Sequence, residues 1–101
     1  MPRKRPLTRE EKLERRDAIA HRAATGSLRL PGAIRDIRNS LGLTQAEFGE
    51  RFGLTRMQVI ALEKGTANPT RETLTRIAKP FGFVLGFVPR PRPSAAKPED
   101  D

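Results

Sequence analysis

The chain has 101 residues, with 20 Lys+Arg against 12 Asp+Glu and a formal net charge of +8. That length holds one small domain with tails, and its modest core excludes many enzyme scaffolds. No apolar run approaches the ~18 residues of a membrane span; the longest, Phe81 to Val88, contains two glycines. Cysteine is absent, which excludes disulfides and thiolate metal sites and is compatible with a reducing cytosol. The basic N-terminus lacks an apolar h-region and does not read as a secretory signal. A strongly basic small domain points to a polyanionic partner, most often nucleic acid.

The charge is uneven. Residues 1–32 carry nine Lys/Arg against four acids, residues 33–81 eight against five, and residues 82–101 three of each. Arg3, Lys4 and Arg5 lie between Pro2 and Pro6. They read as a disordered arm that either grips phosphates or only solubilises the chain. The polar, Pro-rich end after Val88 is expected to be extended or disordered.

Thr8 and Glu11 form a T-x-x-E capping box, so a charged helix is expected from Arg9 to Ala24, ending near Gly26. Its apolar stripe is thin: Leu13, Ile19 or Ala20, Ala23 and Ala24. Glu11 and Arg15 stand at i,i+4 spacing. After a short link at 28–32, a second helix runs from Gly32 to Leu41, with Ile34, Ile37 and Leu41 on one buried face. Gly42 ends it. Thr44 and Glu47 form another capping box and open a third helix to Phe52, with Leu43 and Phe48 at the hydrophobic-staple positions. Gly53 suits a left-handed turn. Thr55 caps a fourth helix that ends at Gly65, and Thr70 caps a fifth through Lys79. Phe83 to Val88 is short, apolar and β-prone, and reads as a strand. A lone strand cannot satisfy its own backbone groups. Phe83, Val84, Leu85, Phe87 and Val88 are therefore expected either to pair with the same strand of a second copy or to cap the monomer core.

Residues 45–64 read QAEFGERFGLTRMQVIALEK. Two short helices crossing through a tight turn require this arrangement. Phe48, Phe52, Leu54, Val59 and Leu62 face one core, Gly49 permits close approach, and Gly53 relieves the turn. The outer face of the second helix is left free.

This pattern resembles the helix-turn-helix of the phage-repressor (Xre/Cro-like) family. The likeness extends over residues 32–82 and includes Leu-Gly-Leu-Thr-Gln at 41–45, Leu-Glu-Lys-Gly at 62–65 and Asn-Pro-Thr at 68–70. It implies an all-α, five-helix lambda-repressor-like DNA-binding domain, here with an extra N-terminal helix and a C-terminal β-strand paired across a dimer. The expected organisation is a basic arm and charged helix over 1–30, the helix-turn-helix domain over 31–82, a dimerisation strand over 83–89 and a tail over 90–101.

The resemblance also assigns roles. Gln45 would grip a phosphate beside the backbone amides of its helix N-terminus. Thr55, Arg56, Met57 and Ile60 would meet base edges. The Arg56 guanidinium either reads guanine O6 and N7 or contacts a phosphate. Met57 and Ile60 are apolar where many relatives are polar, so DNA shape would carry more of the specificity. Gln58 faces a phosphate or solvent; Lys64, Thr66, Asn68 and Arg71 follow the backbone. Arg38 and Glu63 match an internal ion pair of the family. The implied partners are double-stranded DNA and a second copy in the cytoplasm, associated with the nucleoid, with no membrane.

No catalytic constellation is evident: His21 is the single histidine and has no ligand set around it. No catalytic residue, metal or cofactor is expected. Two functions fit. One is a homodimeric repressor reading an inverted repeat and regulating its own operon. The other is an antitoxin that neutralises a cognate toxin, since a short apolar strand after such a domain resembles HipB-like antitoxins.

Overall fold

A computed structural model describes residues 6–90. The basic arm at residues 3–5 and all but the first residue of the expected tail lie outside the described residues. The architecture is all-helical: α1 (Arg9–Ala24), α2 (Gly32–Ser40), α3 (Gln45–Phe52), α4 (Arg56–Lys64) and α5 (Arg71–Ala78), closed by a 3-10 turn at Lys79–Phe81.

Local chemistry sets most of these boundaries. At α1 the Thr8 hydroxyl accepts from the Glu11 amide at 3.1 Å, and the Glu11 carboxylate accepts from the Thr8 amide at 2.9 Å. The same reciprocal box opens α3, through Thr44 and Glu47. Each box satisfies two of the amides that a helix start leaves without partners. Gly53 and Gly65 end α3 and α4 at φ of 74° and 78°, a left-handed geometry that side-chain-bearing residues adopt only with strain.

The core gathers where the five helices meet. Phe48, Ile34, Ile77 and Val59 are fully buried, and Ile19, Ile37, Phe52 and Leu62 surround them. The Phe48 and Phe52 rings pack with centroids 4.6 Å apart. Leu41, Leu43 and Leu54 lie partly buried against this cluster. Close packing of α3 on α4 depends on Gly49: a Cβ there would stand 2.4 Å from the Leu54 carbonyl oxygen.

Helix α1 docks differently from expectation. Only Ile19 of its apolar stripe is buried, while Leu13, Ala20 and Ala24 are exposed. At ~100° per residue, Leu13 lies ~120° around the helix from Ile19. The positions that flank Ile19 on the docked face are Arg15, Arg16, Arg22 and Ala23. Arg15 donates to the Asn39 carbonyl at 2.9 Å, and Arg22 donates to the Asp36 carboxylate at 2.6 Å. Arg16 donates to the Pro80 carbonyl and lies over the Phe81 ring. Guanidinium forks with apolar stems thus hold α1 where a leucine stripe would hold it elsewhere.

The expected strand at Phe83–Val88 is not formed; no strand occurs among the described residues. Within one chain it finds no neighbour to complete a ladder. The segment instead runs back towards the α1–α2 link. The Phe83 amide donates to the Ala78 carbonyl at 3.2 Å, and the Phe83 ring stacks on Phe81 at 5.2 Å. Farther on, Arg29 donates to the Pro89 carbonyl at 3.1 Å.

Candidate nucleic-acid interface

Helix α4 has two faces of opposite character. Val59, Leu62 and Glu63 point inward and are buried. Arg56 and Met57 in the first turn are exposed, as is Lys64 in the last; Ile60 and Ala61 are half-buried beside them. Among the described residues Arg56 has no hydrogen-bond or ion-pair partner, so its guanidinium keeps all five donors.

Thr55 sits at the N-cap of α4. Its hydroxyl accepts from the Gln58 amide at 3.0 Å, and the Gln58 side-chain oxygen accepts from the Thr55 amide at 2.8 Å. Gln58 therefore belongs to a capping box, a role that the T-x-x-Q spacing signals and that the sequence reading did not assign. Its side-chain NH2 remains available as an outward donor. Met57, Gln58 and Asn68 line one open crevice of about 320 Å3 between α4 and the loop into α5. Thr66 donates to the Ala61 carbonyl at 3.3 Å, and Arg71 is exposed at the start of α5.

Gln45 lies apart from that crevice. It opens α3, and its amide nitrogen donates to the Glu63 carboxylate at 3.2 Å. Glu63 also accepts from Arg38, at 2.6 Å and 3.1 Å, and stands 3.7 Å from Arg35. Burial pushes the Glu63 carboxyl upward, but the hydrogen bonds from Arg38 and Gln45 and the charges of Arg38 and Arg35 outweigh it, so its pKa lies below the ordinary value. The carboxylate thereby fixes the inner face of α4 to α2 and to the start of α3. Arg35 was not singled out in the sequence, although its i,i+3 spacing to Arg38 places both beside the buried Ile34–Ile37 face.

Towards the C-terminus, Val84 and Phe87 are 90% and 107% exposed, with Leu85 and Val88 also open to solvent. With Phe83 they border an apolar groove of about 430 Å3 whose floor includes Ile34, Ile37 and Ile77. No helix among the described residues is long and apolar enough to cross a membrane, and no group of three His, Cys, Asp or Glu side chains gathers there to hold a metal.

The family described as Helix-turn-helix matches residues 34–84. This chain belongs to that family. Within the helix-turn-helix family its relatives include an uncharacterised HTH-type transcriptional regulator of Methanothermobacter thermautotrophicus, 51% identical over 49 residues, which are 48% of this chain and 71% of the relative. The cryptic phage CTXphi transcriptional repressor RstR of Vibrio cholerae is 36% identical over 52% of this chain and 47% of its own length. YgzD of Bacillus subtilis, another HTH-type regulator, is 33% identical over 54% and 83% respectively. No solved structure matches significantly. The helix-turn-helix assignment makes DNA-binding transcription regulation the general activity, with α3 and α4 as its two helices. Helix α1 lies outside the matched residues.

Proposed function

We propose that this helix-turn-helix protein is a sequence-specific repressor that acts as a homodimer on an inverted-repeat operator and regulates its own operon. The observation that carries the reading is the division of α4. Its inner face is held by the core and by Glu63, whereas Arg56 and Met57 project from its first turn without intrachain partners. A helix anchored in this way presents rigid side chains to a major groove. Thr55, Arg56, Met57 and Ile60 are the proposed base-contacting set. Gln45, Gln58, Lys64, Thr66, Asn68 and Arg71 are the proposed phosphate set. Exposed Val84 and Phe87 support pairing of residues 83–88 between two copies. Such a dimer would place two recognition helices ~34 Å apart on successive major grooves. Repression then follows from occupying a promoter in the cytoplasm, at the nucleoid.

Footprinting on the DNA upstream of the protein's own gene, at near-physiological salt, tests this reading. A protected inverted repeat that survives scrambled competitor supports it. Protection that competitor removes equally from every duplex overturns it.

The same apolar strip favours a second reading, in which the protein also binds and neutralises a toxin. Its exposed side chains, together with a helix α1 that the family match does not include, offer surface that DNA binding leaves unused. Co-purification with the product of an adjacent gene would support this role, and an isolated gene with no such product argues for a regulator alone.

A further inference from the structure

A second open crevice, of about 680 Å3, lies where α1, the C-terminal half of α2 and the start of α3 converge. Arg15, Arg35, Arg38, Thr44, Gln45 and Glu63 line it. Three guanidinium groups thus face one carboxylate. Arg38 is fully engaged, with Glu63 and with the Leu43 carbonyl at 3.0 Å. Arg35 is not. Its side chain is 61% exposed, and its nearest acid oxygen, at 3.7 Å, already accepts from Arg38 and Gln45. Arg15 spends one nitrogen on the Asn39 carbonyl and keeps its other donors. The capping box occupies the Thr44 and Glu47 amides, which leaves the Gln45 and Ala46 amides at a helix start with no intrahelical acceptor. Positive charge and unused donors therefore converge from three helices. The approach of the chain to this place is fixed as well, because Leu7 packs on Gly42 immediately before α3.

We propose that this crevice seats a backbone phosphate of the bound duplex, held by Arg15 of α1 and Arg35 of α2, so that α1 widens the DNA footprint beyond the family's matched helices. The proposal rests on the DNA-binding reading and deepens it. The crevice is open and much larger than one phosphate, which suits an anion delivered on a rigid polymer rather than a free ion enclosed by the protein. It is also continuous with the start of α3, where Gln45 is the proposed phosphate contact. Arginine suits the role because its fork offers several donors to phosphate oxygens.

The test is the salt dependence of operator binding by the full chain. Removing one phosphate-binding side chain should make the slope of log affinity against log salt shallower by about 0.9. Arg15→Ala is expected to bind with such a slope while keeping wild-type base preference, so its deficit relative to wild type shrinks ~3-fold from about 50 to about 200 mM salt. Arg15→Lys, which retains the cation, should restore the slope. A merely structural Arg15 would lower the melting temperature and leave the slope alone; a folded Arg15→Ala variant with a wild-type slope overturns the proposal. Should Arg15→Ala fail to fold, Arg35→Ala carries the same expectation at an exposed position, and an unchanged slope there overturns it equally. If wild-type protein shows no preference for any duplex, the DNA-binding reading itself has failed, which these variants do not decide.

Discussion

Arg38 holds Glu63 with both arms of its guanidinium, Nε to one carboxylate oxygen at 2.6 Å and Nη2 to the other at 3.1 Å. The Glu63 side chain is 1% exposed, and Gln45 supplies a further donor. A charge this deeply buried is tolerated only because its partners are in place. Arg38→Met removes the main partner and leaves the carboxylate behind, so it should cost about 3–5 kcal/mol of unfolding free energy. Glu63→Gln keeps the shape and a hydrogen-bonding group and should cost less. Chemical denaturation of both variants checks the order. Equal losses would show that the ion pair itself contributes little.

The same contact sets a pH dependence. The folded Glu63 carboxyl titrates below its ordinary value of 4.5, so unfolding binds a proton in the acid range. Its stabilising contribution is complete above that ordinary value and declines as pH falls through the folded pKa. Wild type should therefore lose stability more steeply than Glu63→Gln on acidification below about pH 5. Thermal melts of the two across that range should converge. Parallel curves would mean that other carboxylates dominate acid unfolding.

Two glycines should respond to alanine in opposite directions. A Cβ at Gly49 would press on the Leu54 carbonyl oxygen, a backbone atom in the turn itself, at 2.4 Å. Gly49→Ala should destabilise by at least ~1–3 kcal/mol, the usual cost of overpacking. Gly32, at the first position of α2, has nothing within 4 Å of a built Cβ and no positive φ. Gly32→Ala should stabilise by ~0.4–1 kcal/mol, largely by restricting the unfolded chain. Equilibrium unfolding of both variants measures the contrast; a neutral Gly49→Ala would deny that glycine is what lets α3 and α4 meet.

Several elements were legible because their signals are local. The Thr8–Glu11 and Thr44–Glu47 boxes, the glycine after Phe52 and the spacing of Phe48, Phe52, Val59 and Leu62 each declare themselves within one or two helical turns. Docking of α1 was not legible in this way. Arginines on a helix read as a solvated face until Asn39, Asp36 and Pro80 are brought beside Arg15, Arg22 and Arg16 by the tertiary fold. Residues 83–88 failed for a different reason: β-propensity describes a side-chain preference, while a strand needs a paired backbone, and one chain does not supply it. At the candidate interface, the first turn of α4 could be read from Thr55 onward. The hydrogen bond of Gln45 to Glu63 could not, because it spans two helices of the folded domain.

Arg56 separates base reading from backbone grip. A bidentate contact to guanine is worth about 1–3 kcal/mol, and Arg56→Ala should lose that much on the operator and relax preference at one position. Since Arg56 has no partner within the described chain, the substitution should leave the melting temperature within the small range of surface changes. Binding to a set of single-base operator variants makes the distinction. If every duplex weakens alike and the salt slope becomes shallower, Arg56 contacts a phosphate and the specificity lies elsewhere on α4.

Val84 and Phe87 are so exposed that charging them should cost the isolated domain almost nothing, within ~0.5 kcal/mol. Their value would lie in association, where two apolar strips pair and complete each other's backbone hydrogen bonds. The double substitution Val84→Glu and Phe87→Glu sets like charges against each other across such a pairing. Sedimentation at micromolar concentration should then show wild-type dimers and variant monomers with the same helical content. Operator binding should fall as well, because two half-sites engaged by one dimer share an effective concentration that separate monomers lack. Single half-site binding should be spared. A double variant that still sediments as a dimer would place the interface elsewhere, and a wild-type monomer that binds the full operator would remove the need for one.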